Sequence, residues 1–207
     1  MVTIENIIRP GRLTSPPLRT DTLLRFGFFG QISALKGIDI LFEAARMLDD
    51  DGVTGITFEI HGDYLGQPAE FQTAFLASLE TASRNIRFIG PYDQDNVDRL
   101  MSTVDAVLVP SIWWENSPVV IQESLRNDKP VICSDIGGMA EMVRDGRDGF
   151  HFPAGNAMAL ADLLKRILAD RTMLTGIGQT INHPPEAEEI VQKHIGLYQR
   201  LLEAAVK

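Results

Sequence analysis

Residues 24–61 read LRFGFFGQISALKGIDILFEAARMLDDDGVTGITFEIH. The stretch opens on a compact apolar run, Leu24 to Phe29, and passes through a short segment bounded by Gly30 and Gly37. Ile38, Leu41, Phe42, Ala45 and Leu48 then recur at i, i+3, i+4, i+7 and i+10, which puts them on one face of a helix. A second apolar run, Ile56 to His61, follows. Strand, loop, helix and strand in that order form a βαβ unit, whose crossover is right-handed and whose strands are parallel.

The same alternation continues along the chain. Further strands are expected at Ile86–Ile89, Ala106–Val109 and Val131–Ser134, with a short sixth at Phe150–Phe152. Phe71, Phe75 and Leu79 mark a weaker helix, and helical patterns follow at 93–103, 118–127, 138–144, 156–171 and 185–205. Several strands are apolar throughout rather than alternating, which suits strands covered on both faces. The expectation is a single Rossmann-like, doubly wound α/β sheet over residues 23–184, preceded by a lead-in at 1–22 that Pro10-Gly11 and Pro16-Pro17 keep extended. Such sheets bind ligands at the carboxyl ends of their strands, so loops 30–36, 62–68, 90–93, 110–118 and 135–138 would form one rim.

Composition narrows the class of function. The 207 residues are 44% hydrophobic and 23% charged, ordinary values that exclude a disordered or fibrous chain. Lys and Arg number 19 against 28 Asp and Glu, a net charge of −9 that argues against nucleic acid as a partner. The lone Cys133 lies in an apolar run and is read as a buried small hydrophobe in a reducing compartment, so a cytoplasmic location is expected. No apolar run approaches the ~20 residues of a membrane span.

The richest rim stretch is Pro110-Ser-Ile-Trp-Trp-Glu-Asn-Ser-Pro-Val-Val-Ile-Gln-Glu123. Ser117 followed by Pro118 reads as an N-cap and first helical residue, so a helix is expected to open there with free N–H groups and its positive dipole end on the rim. Glu115 stands before that helix and Glu123 within it, at the edge of its apolar arc. Ionised carboxylates there would suit ligand hydroxyls, while a solvated surface role is the plainer alternative. Lys36 falls near the start of the first helix, where the dipole disfavours a cation unless an anionic ligand reverses the balance. Gly137-Gly138, just after a strand, permits close backbone approach or a tight turn. Trp113 and Trp114 are expected to fill the rim wall, and Asp145-Gly146 and Asp148-Gly149 to make structural turns. Neither a P-loop nor a G-x-G-x-x-G motif is present, and no His, Cys or carboxylate cluster has zinc-ligand spacing.

Taken in order, Gly30…Lys36-Gly37, Phe88-Ile89-Gly90, Pro110-Ser111, Glu115-x7-Glu123, Gly137-Gly138-x-x-Glu141 and Asp145-Gly-x-x-Gly149 resemble the C-terminal half of retaining GT-B glycosyltransferases. These are family 4 of that classification, also called glycosyl transferases group 1, and the resemblance covers roughly residues 24–170. It implies a nucleotide-diphosphate sugar as donor substrate, with no metal or other cofactor. Lys36 would neutralise the diphosphate, Glu115 would face the sugar and Glu123 the ribose hydroxyls. The N–H groups of Asn116, Ser117 and Val119 would meet sugar and phosphates, Gly90 to Tyr92 would frame the base, and Gly137-Gly138 would be next in line for contact. Where the family often has Arg after the first loop glycine, this chain has Gln31 beside Gly30, a donor without charge. The resemblance further implies an N-terminal acceptor-binding domain outside this sequence, any membrane contact being made through it, and a helix at 185–207 that crosses back to it. The chain alone would then transfer little. A sugar-nucleotide epimerase half and a non-catalytic binding module are the alternatives.

Overall fold

The computed structural model describes residues 6, 22–177, 181–185 and 187–205. Apart from Asn6 and Thr22, the expected lead-in at 1–22 lies outside them. Six strands, β1 (Leu24–Phe29), β2 (Ile56–His61), β3 (Ile86–Gly90), β4 (Ala106–Val109), β5 (Val131–Ser134) and β6 (Gly149–Phe152), form one sheet in the order β3-β2-β1-β4-β5-β6. Every neighbouring pair is parallel. This is the doubly wound parallel sheet expected, and its strand order reverses direction between β1 and β4. The connections leaving those two strands diverge to opposite faces and open a crevice at their carboxyl ends.

The faces are covered by different helices. Phe26 and Phe28 of β1 pack with Phe58 and Ile60 of β2 beneath α1 (Ile38–Asp50), α2 (Ala69–Glu80) and α6 (Ala157–Ala169). Phe29, one residue on and so on the other face, joins Val107, Val109 and Cys133 beneath α3 (Val97–Met101), α4 (Val119–Arg126) and α5 (Gly137–Met142). Cys133 is fully buried, and burial pushes its thiol pKa well up, so it packs as the small hydrophobe expected.

Two of the expected helices are corrected, and β3 and the last helix gain detail. β3 is an edge strand, with Phe88 and Ile89 exposed on it, because among the described residues no seventh strand pairs with it. The helix expected at 93–103 divides into a 3₁₀ turn, Gln94–Asn96, and the five-residue α3. The helix expected over 156–171 stops at Ala169, because the Asp170 carboxylate accepts from the N–H of Thr172 at 3.0 Å and starts α7 (Thr172–Ile177). The last helix, α8 (Ala187–Ala205), follows, with Tyr198, Leu201 and Leu202 exposed along it.

Two loops at the crevice are locked together. Gly37 has φ 74°, and a Cβ on it would lie 1.8 Å from the carbonyl oxygen of Pro110. Ile112 N–H donates to the carbonyl of Leu35 at 3.0 Å, beside that contact. Only a residue without Cβ permits the approach, and only one tolerant of positive φ permits the turn. Gly37→Ala is therefore expected to destabilise the chain by roughly 2–5 kcal/mol, from the strain of a left-handed non-glycine residue plus overpacking. Urea unfolding would show it as a lowered midpoint at unchanged slope.

Candidate functional site

Lys36 arrives on the connection from β1 to α1, and Glu115 on the connection from β4 to α4. Their side chains meet: Lys36 Nζ lies 2.5 Å from Glu115 Oε1. The buried Ser111 hydroxyl sits 3.2 Å from the same oxygen and 2.9 Å from the Leu35 carbonyl, and it accepts from Trp113 N–H. Glu115 is thereby aimed along the crevice rather than into solvent. Ser111 was legible as part of the Pro110-Ser111 pair, but nothing in the spacing assigns it this buttressing contact.

Glu123 completes the set from the first turns of α4. Its side chain is only 4% exposed, so a solvated surface role is set aside. Its Oε1 accepts from Gln94 Nε2 in the 3₁₀ turn after β3. Burial raises the Glu123 pKa above the usual carboxylate range, Asp98 adds to this, and Arg126 and the Gln94 hydrogen bond oppose it. Tyr92 stands beside it, its pKa pushed up to about 12 by burial and by the Glu123 charge. Lys36, Glu115 and Glu123 line one cleft of about 390 Å³ with Gly30, Gln31 and Tyr92. Gln31, Tyr92 and Gln94 also border a second chamber of about 410 Å³, which runs on to Gly62, Asp63 and Pro91.

The helix start that floors the cleft differs from expectation by one residue. Pro118, with ψ 116°, is the residue before the helix, and Val119 is the first inside it. Ser117 is therefore not the cap; its Oγ accepts from Gln122 Nε2 at 3.0 Å instead. The extended ψ of Pro118 delays the helical hydrogen bonds, the first of them running from Ile121 N–H to Pro118 O. Ser117, Pro118, Val119 and Val120 still line the cleft.

The remaining predicted residues support the site from behind. Gly138 N–H donates to the Glu115 carbonyl at 2.6 Å, and a Cβ on Gly138 would fall 2.0 Å from the Asn116 carbonyl oxygen. Gly137 likewise packs on the Trp114–Glu115 backbone. The pair holds the 114–116 backbone in place rather than lining the cleft, and Asn116 is absent from the cleft lining as well. Gly90 ends β3 and its carbonyl accepts from Gly62 N–H at 2.8 Å, which joins the two loops bordering the second chamber. Trp113 and Trp114 are 58% and 71% exposed, so they do not fill the wall as expected; Ser111 and the Gly138 contact occupy the inner side of their loop. Asp145 and Asp148 make the structural turns expected, accepting from His151 N–H and from Arg144. Among the described residues no group of three or more His, Cys, Asp and Glu is placed to hold a metal, and no helix is long and apolar enough to cross a membrane. Gln94 and Asp63 were missed, because polar residues in short connections carry no periodic signal.

The arrangement offers one cation, two carboxylates and a helix start to a single ligand at the switch point of the sheet. The profile of the family described as glycosyl transferases group 1 matches residues 16–182. The chain belongs to the glycosyl transferases group 1 family. A D-inositol 3-phosphate glycosyltransferase of Streptomyces bingchenggensis is 32% identical over 182 residues, which is 84% of this chain and 38% of the relative. A phosphatidyl-myo-inositol mannosyltransferase of Mycobacterium leprae is 27% identical over 81% of this chain and 42% of its own length. The chain thus spans about two fifths of these relatives. Among solved structures, Anabaena Alr3699/HepE in complex with UDP and glucose superposes with a TM-score of 0.74 at 22% identity, over 86% of this chain and 49% of that one. The C-terminal domain of a glycosyl transferase group 1 family protein (LpcC) from Francisella tularensis gives 0.65 at 21%, over 82% and 85%. At these identities the two structures share the fold.

Burying an ionised Glu123 carries a cost that this group 1 chain bears at neutral pH. A carboxyl whose pKa is raised on folding destabilises the folded state above that pKa, and the cost disappears as pH falls below the unfolded value. Glu123→Gln is expected to raise the melting temperature at pH 7 and to lose that advantage toward pH 4. Thermal unfolding of both proteins across that range checks the sign.

Proposed function

We propose that this chain is the donor-binding part of a glycosyltransferase that moves a sugar from a nucleotide-diphosphate sugar to an acceptor with retention of configuration. The observation that carries the reading is the convergence of Lys36, Glu115 and Glu123 in one cleft at the start of α4. Breaking the glycosidic bond leaves growing negative charge on the diphosphate, and a cation already in place stabilises it without reorganisation. Lys36 supplies that cation, helped by the positive end of α4. A diphosphate competes with Glu115 for Lys36, and the released Glu115 carboxylate accepts hydrogen bonds from the sugar hydroxyls. Glu123 accepts from the ribose, with the base in the chamber bordered by Tyr92 and Pro91. Gln31 adds a hydrogen bond without charge, which leaves Lys36 as the main clamp.

The lysine and the helix start take the part that a metal plays in other phosphate sites, so transfer is proposed to proceed without one. Retention is carried by the likeness of Glu115-x7-Glu123 to the retaining members of the family. The cleft is lined on one side by this chain, which spans about two fifths of its relatives. A second Rossmann-like domain is therefore proposed to bring the acceptor, and any membrane contact, to the open side, with the apolar residues of α8 packing on it. This chain by itself would bind donor weakly and transfer little.

Titration of the isotope-labelled chain with saturating UDP-, GDP- and ADP-sugars is expected to shift the resonances of Lys36, Glu115 and Glu123 with at least one of them. Lys36→Ala is expected to weaken that binding by roughly 10- to 100-fold, the range of a charge-assisted contact. If none of the three donors perturbs those residues, the donor-binding reading is wrong. Binding without turnover in a longer protein carrying both domains would leave a non-catalytic module.

A further inference from the structure

Among the groups around the cleft, Gln94 is the one whose position exceeds any packing need. It is exposed at the start of the 3₁₀ turn, yet its amide reaches 29 residues along the chain to Glu123 Oε1. Glu123 Oε2 makes no hydrogen bond among the described residues, so the amide occupies one oxygen and leaves the other for a ligand. Gln94 also borders both chambers of the cleft, at the point where they meet.

We infer that Gln94 is a positioning residue, which holds the Glu123 carboxylate in one orientation and in its ionised form for the donor. The inference rests on the reading of Glu123 as a donor contact. Arg126, the larger of the two influences that favour the carboxylate, acts through its charge, whereas Gln94 acts through a directed hydrogen bond. Arg126 Nη2 is engaged by Asp98 Oδ1 at 2.5 Å, and that oxygen also accepts from Asn127 Nδ2 at 2.8 Å. Arg126 is thus paired with Asp98, whose own charge works against a second carboxylate nearby.

The balance of charge at Glu123 involves every element packed on it. Tyr92 faces it from the loop after β3, Asp98 from α3 and Arg126 from one turn along α4, while Lys36 and Glu115 share the cleft. Burial and Asp98 favour the protonated acid, whereas Arg126 and the Gln94 amide favour the carboxylate. Without the amide, protonation would set in at higher pH. A protonated Glu123 donates one proton and accepts less well, so it would match ribose hydroxyls poorly.

Gln94→Leu, of similar volume and without a donor, tests this in the whole 207-residue chain, with Gln94→Ala as a second variant. The ligand-free readout is the carboxyl-carbon resonance of Glu123 followed with pH. Its midpoint is expected to move to higher pH in both variants. With whichever of UDP, GDP and ADP binds the wild type best, affinity at pH 7 is expected to fall roughly tenfold. The acid limb of binding should shift in the same direction, and Gln94→Leu with Glu123→Gln should bind no more weakly than Glu123→Gln alone. An unchanged midpoint with unchanged affinity overturns the inference. If Glu123→Gln binds nucleotide as well as the wild type, the donor role of Glu123 fails instead, and the ligand-free midpoint still reports whether Gln94 governs the carboxylate.

Discussion

The approach of Gly37 to the Pro110 carbonyl is the constraint on which the site depends. It joins the connections leaving β1 and β4, the two strands between which the sheet reverses its order. Because those connections part to opposite faces, nothing in the sheet itself would keep their tips together. The missing Cβ at Gly37 and the Leu35 carbonyl, shared by Ile112 N–H and the Ser111 hydroxyl, do so. Lys36 lies between Leu35 and Gly37, so the same contact that closes the loop delivers its ammonium group to Glu115. A side chain as flexible as lysine gains precision from a rigid root.

A second layer of backbone contacts fixes the other half. Gly138 supports the Glu115–Asn116 backbone from α5, and the carbonyl of Gly90 holds Gly62 on the far side of the cleft. Backbone contacts between neighbouring connections therefore hold in place the loops from which the polar side chains of the cleft project. Trp113, Trp114 and Gln31 are exposed, whereas a Cβ on Gly37, Gly62 or Gly138 would fall within 2.0 Å of backbone oxygen. The cleft also explains how an acidic chain can offer an anion site. One lysine and a helix start act over a few ångströms, so a net charge of −9 does not exclude a local cation in the cleft.

The polar side chains of the cleft work against folding as much as for it. Glu123 is held in a setting where its charge is disfavoured, with Asp98 and Arg126 paired close by. A hydrophobic residue there would pack with less cost. In the proposed function, a ligand that brings hydroxyl groups accounts for a carboxylate in such a place.

The order of elements was readable from periodicity alone, since an apolar run buried on both faces and a helix with one apolar face leave different marks on the sequence. Glycines, prolines and paired carboxylates likewise pointed to loops that the structure gathers around one cleft, and their order resembled one family. Other features were invisible at that level. The split of residues 93–103 and the arrest of the helix at Ala169 rest on single side-chain hydrogen bonds and short turns, which have no period. Whether Trp113 and Trp114 faced inward, and whether Ser117 or Pro118 preceded α4, depended on backbone contacts with Gly138 and on one ψ angle. The sequence by itself determined the sheet, its helices and the list of groups available to a ligand. Only the tertiary structure decided which of them meet, because Gln94 reaches Glu123, and Lys36 reaches Glu115, through contacts between elements far apart in the chain.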